Sequence, residues 1–301
     1  MINGIVIIDK EPDFTSHDVV AKMRGICGQK KVGHTGTLDP MATGVLPVCL
    51  GSATKVCDML ADRDKEYVAE LLLGVETDTQ DVTGRILAEH RPEVSEEKVR
   101  EAILSFRGEY SQIPPMYSAL KVNGRKLYEL ARAGKEVERR PRIVMIRELE
   151  ILECRLPAVR FRTVCSKGTY IRTLCADIGE KLGCGGTMRS LRRTAVGEFR
   201  LENAHTLEQL QQWKDEGRLA EAVLPVDGVF ASCPVLHVRR DCSGLLDNGN
   251  AILPEQTAEK ELYAPERWVR MYGPDERFCG IYAYEAGRKR YRPVKMFLEK
   301  E

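Results

Sequence analysis

The sequence predicts an α+β fold, with a mixed central sheet and flanking helices followed by a small C-terminal β-barrel. Three observations carry this expectation. Strand-like and helix-like runs are interspersed over residues 1–230 without the regular spacing of repeated βαβ units, which argues against a parallel doubly wound sheet. After LPVDGVF (224–230) the pattern changes to short strand-like runs separated by Gly-rich turns, the signature of a small all-β unit. The 301 residues are also long for one compact core, so a large unit (1–230) and a small one (231–301) are expected.

The elements follow in order. GIVIID (4–9) is a short apolar run and reads as a strand. SHDVVAKMRGICG (16–28) places Val19, Val20, Met23, Ile26 and Cys27 on one helical face, with Ser16 as its N-cap. EYVAELLLG (66–74) reads as a buried strand. SEEKVREAILSFRG (95–108) is a helix opened by acids, with a stripe of Val99, Ala102, Ile103 and Phe106, and ended by Gly108. VRFRTVCS (159–166) alternates Val159, Phe161, Thr163 and Cys165 with two arginines, a half-buried strand.

YIRTLCADIGEKLG (170–183) is a helix with Ile171, Leu174, Cys175, Ile178 and Leu182 inward. Arg172 falls in its first turn, where the helix dipole disfavours a cation, so a carboxylate or phosphate is expected beside it. TLEQLQQW (206–213) opens with a Thr-x-x-Gln capping box. Beyond residue 230, PVLHVRR, ELYAPERWVRMYG and GIYAYEAGRKRYRPVKMF supply strands and a basic hairpin (Arg288, Lys289, Arg290, Arg292).

Composition excludes several classes. Hydrophobic residues at 43% and charged residues at 30% are ordinary for a soluble globular protein. No apolar run approaches a membrane span and no signal-peptide pattern opens the chain, so a cytosolic protein is expected. The ten cysteines show neither C-x-x-C pairs nor histidines at zinc-finger spacing, which points to reduced core thiols. The net charge is only +1, yet residues 121–147 and 160–200 each carry a local net of +6. Two such clusters flanking a candidate site are the electrostatic footprint of phosphate contact.

One acid, Asp39, stands among glycines, threonines and apolar residues in GHTGTLDPMATGVLPV (33–48). A lone carboxylate without a second acid nearby suits a nucleophile better than an acid–base dyad or a metal cage. Gly33, Gly36 and Gly44 allow close backbone approach, and Pro40 fixes the chain just after the acid. On residue types alone, a buried turn explains the segment equally well.

The segment closely resembles the catalytic motif of the TruB family, the synthases that make pseudouridine 55 in the T loop of tRNA. KEYVAELLLG (65–74) and TDTQDVTG (77–84) resemble that family's tyrosine strand and the acidic loop after it. IPPMYSALKVNGRKLYELARAG (113–134) resembles its RNA-gripping insertion, and CSKGTYIRTLCADIGEKLGCGG (165–186) with LRR (191–193) its arginine helix and pocket wall. Together these cover most of residues 1–200 in family order. By its place, and by DNGNAI followed by GIYAYEAGR, the C-terminal unit resembles a PUA domain.

The resemblance implies a pseudouridine synthase fold with an insertion at about 113–147, and an isomerase with Asp39 as nucleophile. Arg172 is implied as the ion-pair partner, expected to reverse the upward pull of burial on the Asp39 carboxyl. Tyr67 is implied to stack on the uracil and to be the candidate base for the C5 proton. His34, Tyr170 and Leu191 are implied to line the substrate pocket, with Asp81 in a supporting role. Arg125, Lys126 and Arg132 are implied to contact the RNA backbone. The reaction requires no redox cofactor and no metal, and no dinucleotide, P-loop or zinc pattern is present in the sequence. The implied partner is tRNA, held by its T arm and, through the C-terminal domain, toward the acceptor end, with neither membrane nor obligatory protein partner.

One motif departs from the family pattern. The first motif there reads D-K-P-x-G-x-T/S-S, whereas this chain has DKEPDFTS (9–16), which leaves the local turn and the role of Lys10 open. The residues also bear on three rival readings. An aspartyl-phosphate enzyme would need further acids to hold Mg2+, and no Asp-x-Asp arrangement supplies them. A non-catalytic tRNA chaperone has no need of Asp39, Tyr67 and Arg172 together. A guide-RNA-dependent synthase is disfavoured by the basic insertion.

Overall fold

The computed structural model describes residues 1–122 and 124–298. The chain begins with β1 (Gly4–Lys10), α1 (Ser16–Cys27), β2 (Val32–His34), β3 (Thr43–Leu50), α2 (Cys57–Ala61) and β4 (Lys65–Leu73). A hairpin of β5 (Val75–Thr77) and β6 (Ile86–Glu89) leads to α3 (Glu96–Leu104) and β7 (Gly108–Gln112). The insertion carries β8 (Lys121–Val122), β9 (Arg125–Lys126) and α4 (Leu127–Arg132). Then come β10 (Arg142–Arg155), β11 (Ala158–Cys165), α5 (Ile171–Lys181), β12 (Gly186–Val196), β13 (Phe199–Arg200) and α6 (Leu207–Asp215).

Nine of these strands form one sheet in the order β1-β3-β12-β4-β11-β10-β7, with β2 added to β3 and β13 to β12. Every pairing is antiparallel except β3 with β12, so the sheet is mixed, as the irregular order of strand and helix runs implied. β4 is not buried on both faces: Lys65, Tyr67, Ala69, Leu71 and Leu73 point inward and the residues between them are half-buried. The inward set packs with Val99 and Ile103 of α3 and with Ile171, Leu174 and Ile178 of α5. Each fully buried aliphatic side chain there contributes about 1.5–3 kcal/mol. A second cluster sets Val19, Val20, Met23 and Ile26 of α1 with Leu207 and Leu210 of α6 against Val6, Ile8, Leu46 and Val48.

Local chemistry corrects three sequence expectations. The N-cap of α1 is Thr15, not Ser16. The Thr15 hydroxyl accepts from the Asp18 amide at 3.1 Å, and the Asp18 carboxylate accepts from the Thr15 amide at 2.8 Å, a reciprocal capping box. α3 ends at Leu104, before Phe106 and Gly108, where the Ser105 hydroxyl donates to the Ala102 carbonyl at 2.7 Å. Of ELYAPERWVRMYG only Trp268–Tyr272 is strand, because Pro265 lacks an amide and Glu266 takes φ +60°.

The C-terminal sheet runs β14 (Val235–His237), β15 (Trp268–Tyr272), β16 (Phe278–Glu285) and β17 (Arg290–Met296), with α7 (Ser243–Asp247) after β14. Segment 252–258 links its two edges. Ile252 and Tyr291 exchange both backbone hydrogen bonds, at 2.9 and 2.7 Å, and the Ala258 amide donates to the His237 carbonyl at 2.8 Å. The sheet thus closes on itself around Leu236, Val269, Met271, Tyr282 and Tyr291. Ile281 and Phe297 of this unit share a cluster with Ile5, Ile7, Val45 and Phe230 of the body.

Candidate active site

One edge of β3 is shared by two strands that do not meet. β2 pairs with Val48–Leu50 and β12 with Thr43 and Gly44, while β1 occupies the whole of the other edge. The loop carrying Asp39 leaves β2 and returns to β3 across this gap. Three elements hold it. The Ser16 hydroxyl accepts from the Leu38 amide at 2.9 Å, which explains why Ser16 is turned inward rather than capping its helix. The fully buried Lys10 ammonium donates to the carbonyls of Phe14, Glu11 and Pro40 at 2.6, 2.9 and 3.0 Å. The Arg193 guanidinium donates to the carbonyls of Gly36 and Thr37 at 3.3 and 3.5 Å.

Lys10 therefore has a role that the sequence left open. Burial pulls its pKa down to about 8, while the nearby Asp39 carboxylate pushes it back up. The altered first motif is also resolved. Asp13, where the family pattern has glycine, takes φ +66° and donates its amide to the Pro40 carbonyl at 3.0 Å. Aspartate is among the few residues that tolerate this left-handed region.

Arg172 meets the anions its helix position demanded. Its Nη2 lies 3.4 Å from Asp39 Oδ2, and its Nη1 lies 3.6 Å from Asp81 Oδ2. Nη2 also donates to the Tyr117 carbonyl at 2.5 Å, while the buried Nε has no partner among the described residues. Asp81 is itself fixed: its Oδ1 accepts from the Thr83 hydroxyl at 2.5 Å, the Thr79 hydroxyl at 2.8 Å and the Thr83 amide at 3.0 Å. It holds the guanidinium from behind.

The Asp39 side chain is 34% exposed, and protein surrounds the carboxyl on its remaining sides. Burial pushes its pKa up, Arg172 pulls it down and the Asp81 carboxylate pushes it up again, so the net direction is upward. This reverses the expectation that Arg172 would overcome burial. The contact is long, and the guanidinium is divided among Asp39, Asp81 and the Tyr117 carbonyl.

Tyr67 sits on β4 directly opposite Arg193 of β12 and is almost fully buried. Burial pushes its phenol up, and the adjacent Arg193 charge pulls it down. Leu191 packs in one apolar cluster with Leu38, Ala42 and Tyr67. It also borders a cavity of about 840 Å³ shared with Met41, Val68, Arg189 and Arg192, whose lining includes neither Asp39 nor Arg172.

The Tyr170 ring lies 5.9 Å from the Arg172 guanidinium. Its backbone is held by the buried Gln112 side chain, which donates to the Tyr170 carbonyl at 3.0 Å and accepts from its amide at 2.8 Å. The His34 Nδ1 accepts from the Gly36 amide at 3.3 Å, and burial lowers its pKa, favouring the neutral ring.

Among the described residues, Arg125, Lys126 and Arg132 of the insertion form no ion pair. Lys126 and Arg132 lie 5.3 and 5.5 Å from the Tyr128 ring. The second basic cluster behaves otherwise. Arg162 is bound to Glu66 and Glu148 at 3.0 and 2.7 Å, Arg192 to Asp9 at 2.7 Å, and Arg189 to Glu70 at 3.2 Å. Cross-strand acids neutralise much of the apparent footprint at 160–200, which corrects its reading as a phosphate surface. In the sequence the role of Lys10 is open, Ser16 reads as a cap, and Arg193 is one basic residue within LRR. Gln112 carries no sequence signal, being a lone glutamine at the end of a strand.

The chain is similar to known proteins along most of its length. The profile described as TruB family pseudouridylate synthase (N terminal domain) matches residues 24–171, and that of the tRNA pseudouridylate synthase B C-terminal domain matches 172–231. tRNA pseudouridine synthase B of Lachnoclostridium phytofermentans is 48% identical, over 99% of this chain and 100% of its own length. That of Alkaliphilus oremlandii is 52% identical over 83% of each. Among solved structures, a Cbf5-Nop10-Gar1 complex aligns at TM-score 0.73 and 29% identity, covering 98% of this chain and 85% of the other. The fold and these relatives define a pseudouridine synthase, an isomerase. The chain belongs to the TruB family of these enzymes.

Proposed function

We infer that this protein converts uridine 55 in the T loop of tRNA to pseudouridine, acting without a guide RNA. The observation that carries the reading is the placement of the single loop carboxylate, Asp39, against the buried Arg172 at the N-terminus of α5. The reaction breaks the bond from C1′ to N1 of the base, rotates the freed uracil and forms the bond from C1′ to C5. The C5 proton then leaves to a base, and N1 acquires one.

Asp39 serves as the nucleophile in its ionised form, and Arg172 stabilises that form. Tyr67 stacks on the uracil and is the candidate base for the C5 proton, which its oxygen can accept only as the phenolate. Its buried, predominantly protonated state supports stacking more directly than basicity. Tyr170, Leu191 and His34 enclose the extruded nucleotide; stacking at ~1–3 kcal/mol per base offsets a flipping cost of a few kcal/mol.

Arg125, Lys126 and Arg132 hold the T-arm backbone. Their freedom from internal ion pairs among the described residues supports direct RNA contact rather than dependence on a guide particle. The closed C-terminal sheet, in the position of a PUA domain, reaches toward the acceptor end. No helix among the described residues is long and apolar enough to cross a membrane, and the reading is of a cytosolic enzyme with no obligatory protein partner.

Tritium release from a T-arm transcript carrying 5-tritiated uridine tests this, wild type against Asp39→Asn. Release by wild type and none by the variant, with RNA affinity kept within about threefold, is the expected result. Turnover by the variant within about tenfold of wild type would refute the assignment.

A further inference from the structure

Arg193 is 1% exposed and forms no ion pair among the described residues. A buried cation without an acid partner costs several kcal/mol, so its retention calls for a reason. The gap in the edge of β3 supplies the first part of one. Where neither β2 nor β12 reaches β3, the Arg193 Nε donates to the Val45 carbonyl at 2.7 Å and takes the place of a strand. Its terminal nitrogens turn to the Gly36 and Thr37 carbonyls of the Asp39 loop. Gly44 permits this approach: a Cβ there would lie 2.1 Å from the Arg193 carbonyl oxygen.

The second part is Tyr67. The two residues are register partners on β12 and β4, and the Arg193 charge lies close enough to the phenol to pull its pKa down against burial. A single residue thus binds the loop of the nucleophile and stands beside the stacking tyrosine in the sheet. We propose that Arg193 is a positioning residue that acts through Tyr67, fixing the phenol oxygen relative to the Asp39 loop so that base and nucleophile address the same uridine. The inference rests on the Tyr67 role given under Proposed function. It assigns to Arg193 a part in the chemical step beyond holding the fold.

A double-mutant cycle on the full-length protein tests it, with a T-arm stem-loop as substrate. Single-turnover rate and RNA dissociation constant are measured for wild type, Arg193→Lys, Tyr67→Phe and the double variant. Arg193→Lys keeps the charge and loses the fork, so its rate falls roughly tenfold or more while the dissociation constant stays within about threefold. In the Tyr67→Phe background the same substitution costs less than about threefold further, because the hydroxyl it acts on is gone. Equal losses in both backgrounds would overturn the proposal and leave Arg193 a purely structural support.

Wild-type turnover by Tyr67→Phe alone would instead remove the Tyr67 reading, and the proposal with it. Should Arg193→Lys fail to fold, Arg193→Met fills a similar volume without a buried charge and carries the same cycle to the same two outcomes.

Discussion

The Arg172 guanidinium stands 2.5 Å from the carbonyl oxygen of Tyr117 and 3.4 Å from the carboxylate of Asp39. Tyr117 belongs to the segment that enters the basic insertion, so Arg172 ties Asp39 to the root of that insertion. The pair is long at 3.4 Å, and burial makes the carboxyl retain its proton more readily than a free aspartate.

The first prediction is a pH dependence. As the proposed nucleophile Asp39 acts in its ionised form, so kcat/KM of the free enzyme should rise with pH through an ionisation above the ordinary carboxylate range. The stability sign follows from the same shift. A folded pKa raised above the unfolded one contributes stability below the unfolded pKa that is lost as pH rises through the folded pKa. Asp39→Asn should therefore melt higher than wild type at neutral pH, with the difference shrinking on acidification. A neutral-pH melting temperature equal to or below that of wild type would contradict this.

The second concerns Arg172→Lys. Sequence alone suggested a loss of turnover with little loss of stability, but the guanidinium also holds Asp81, which is 5% exposed. Lysine cannot serve both carboxylates and the Tyr117 carbonyl in the same geometry. Turnover should fall at least ~100-fold, and unfolding free energy by about 1–3 kcal/mol, the cost of a weakened buried pair. Denaturant titration and single-turnover assays check the two parts separately.

The third concerns Asp13→Gly. Its φ of +66° is a strained region for a side chain, and glycine relieves ~1–2 kcal/mol of that strain at some cost in unfolded-chain entropy. A gain of about 0.5–1 kcal/mol with unchanged turnover is expected. Chemical denaturation that shows a loss of stability would mean the carboxylate contributes more than its backbone costs.

The fourth concerns RNA binding. Neutralising Arg125, Lys126 and Arg132 should reduce the slope of log K against log salt by about 0.7–0.9 for each lost phosphate contact. Single-turnover rates on saturated complexes should change far less. An unchanged slope would refute the role given to the insertion. Deleting residues 231–301 is not a clean control, because Ile281 and Phe297 are buried against Ile5, Ile7 and Phe230. Arg288→Gln with Lys289→Gln should weaken whole tRNA and leave an isolated T-arm stem-loop unaffected.

Much of this protein was determined by the sequence itself. The mixed sheet follows from the irregular order of strand and helix runs, and the α5 face from the spacing of Ile171, Leu174 and Ile178. Asp39 is marked by its isolation in a Gly-rich loop, and Arg172 by its unfavourable place in a first helical turn, which required an anion nearby. These signals are legible because backbone sterics, side-chain periodicity and helix-end electrostatics act over a few residues.

The tertiary structure alone decided where the charges end. Arg162 and Arg192 read as free cations until Glu66 and Asp9, 96 and 183 positions away, are brought beside them. Arg193 reads as one more basic residue until the edge of β3 is found divided between β2 and β12. The role of Lys10 stays open until three carbonyls enclose it. Pairing of buried charge depends on which strands become neighbours, and strand neighbours are chosen by the packing of the whole sheet.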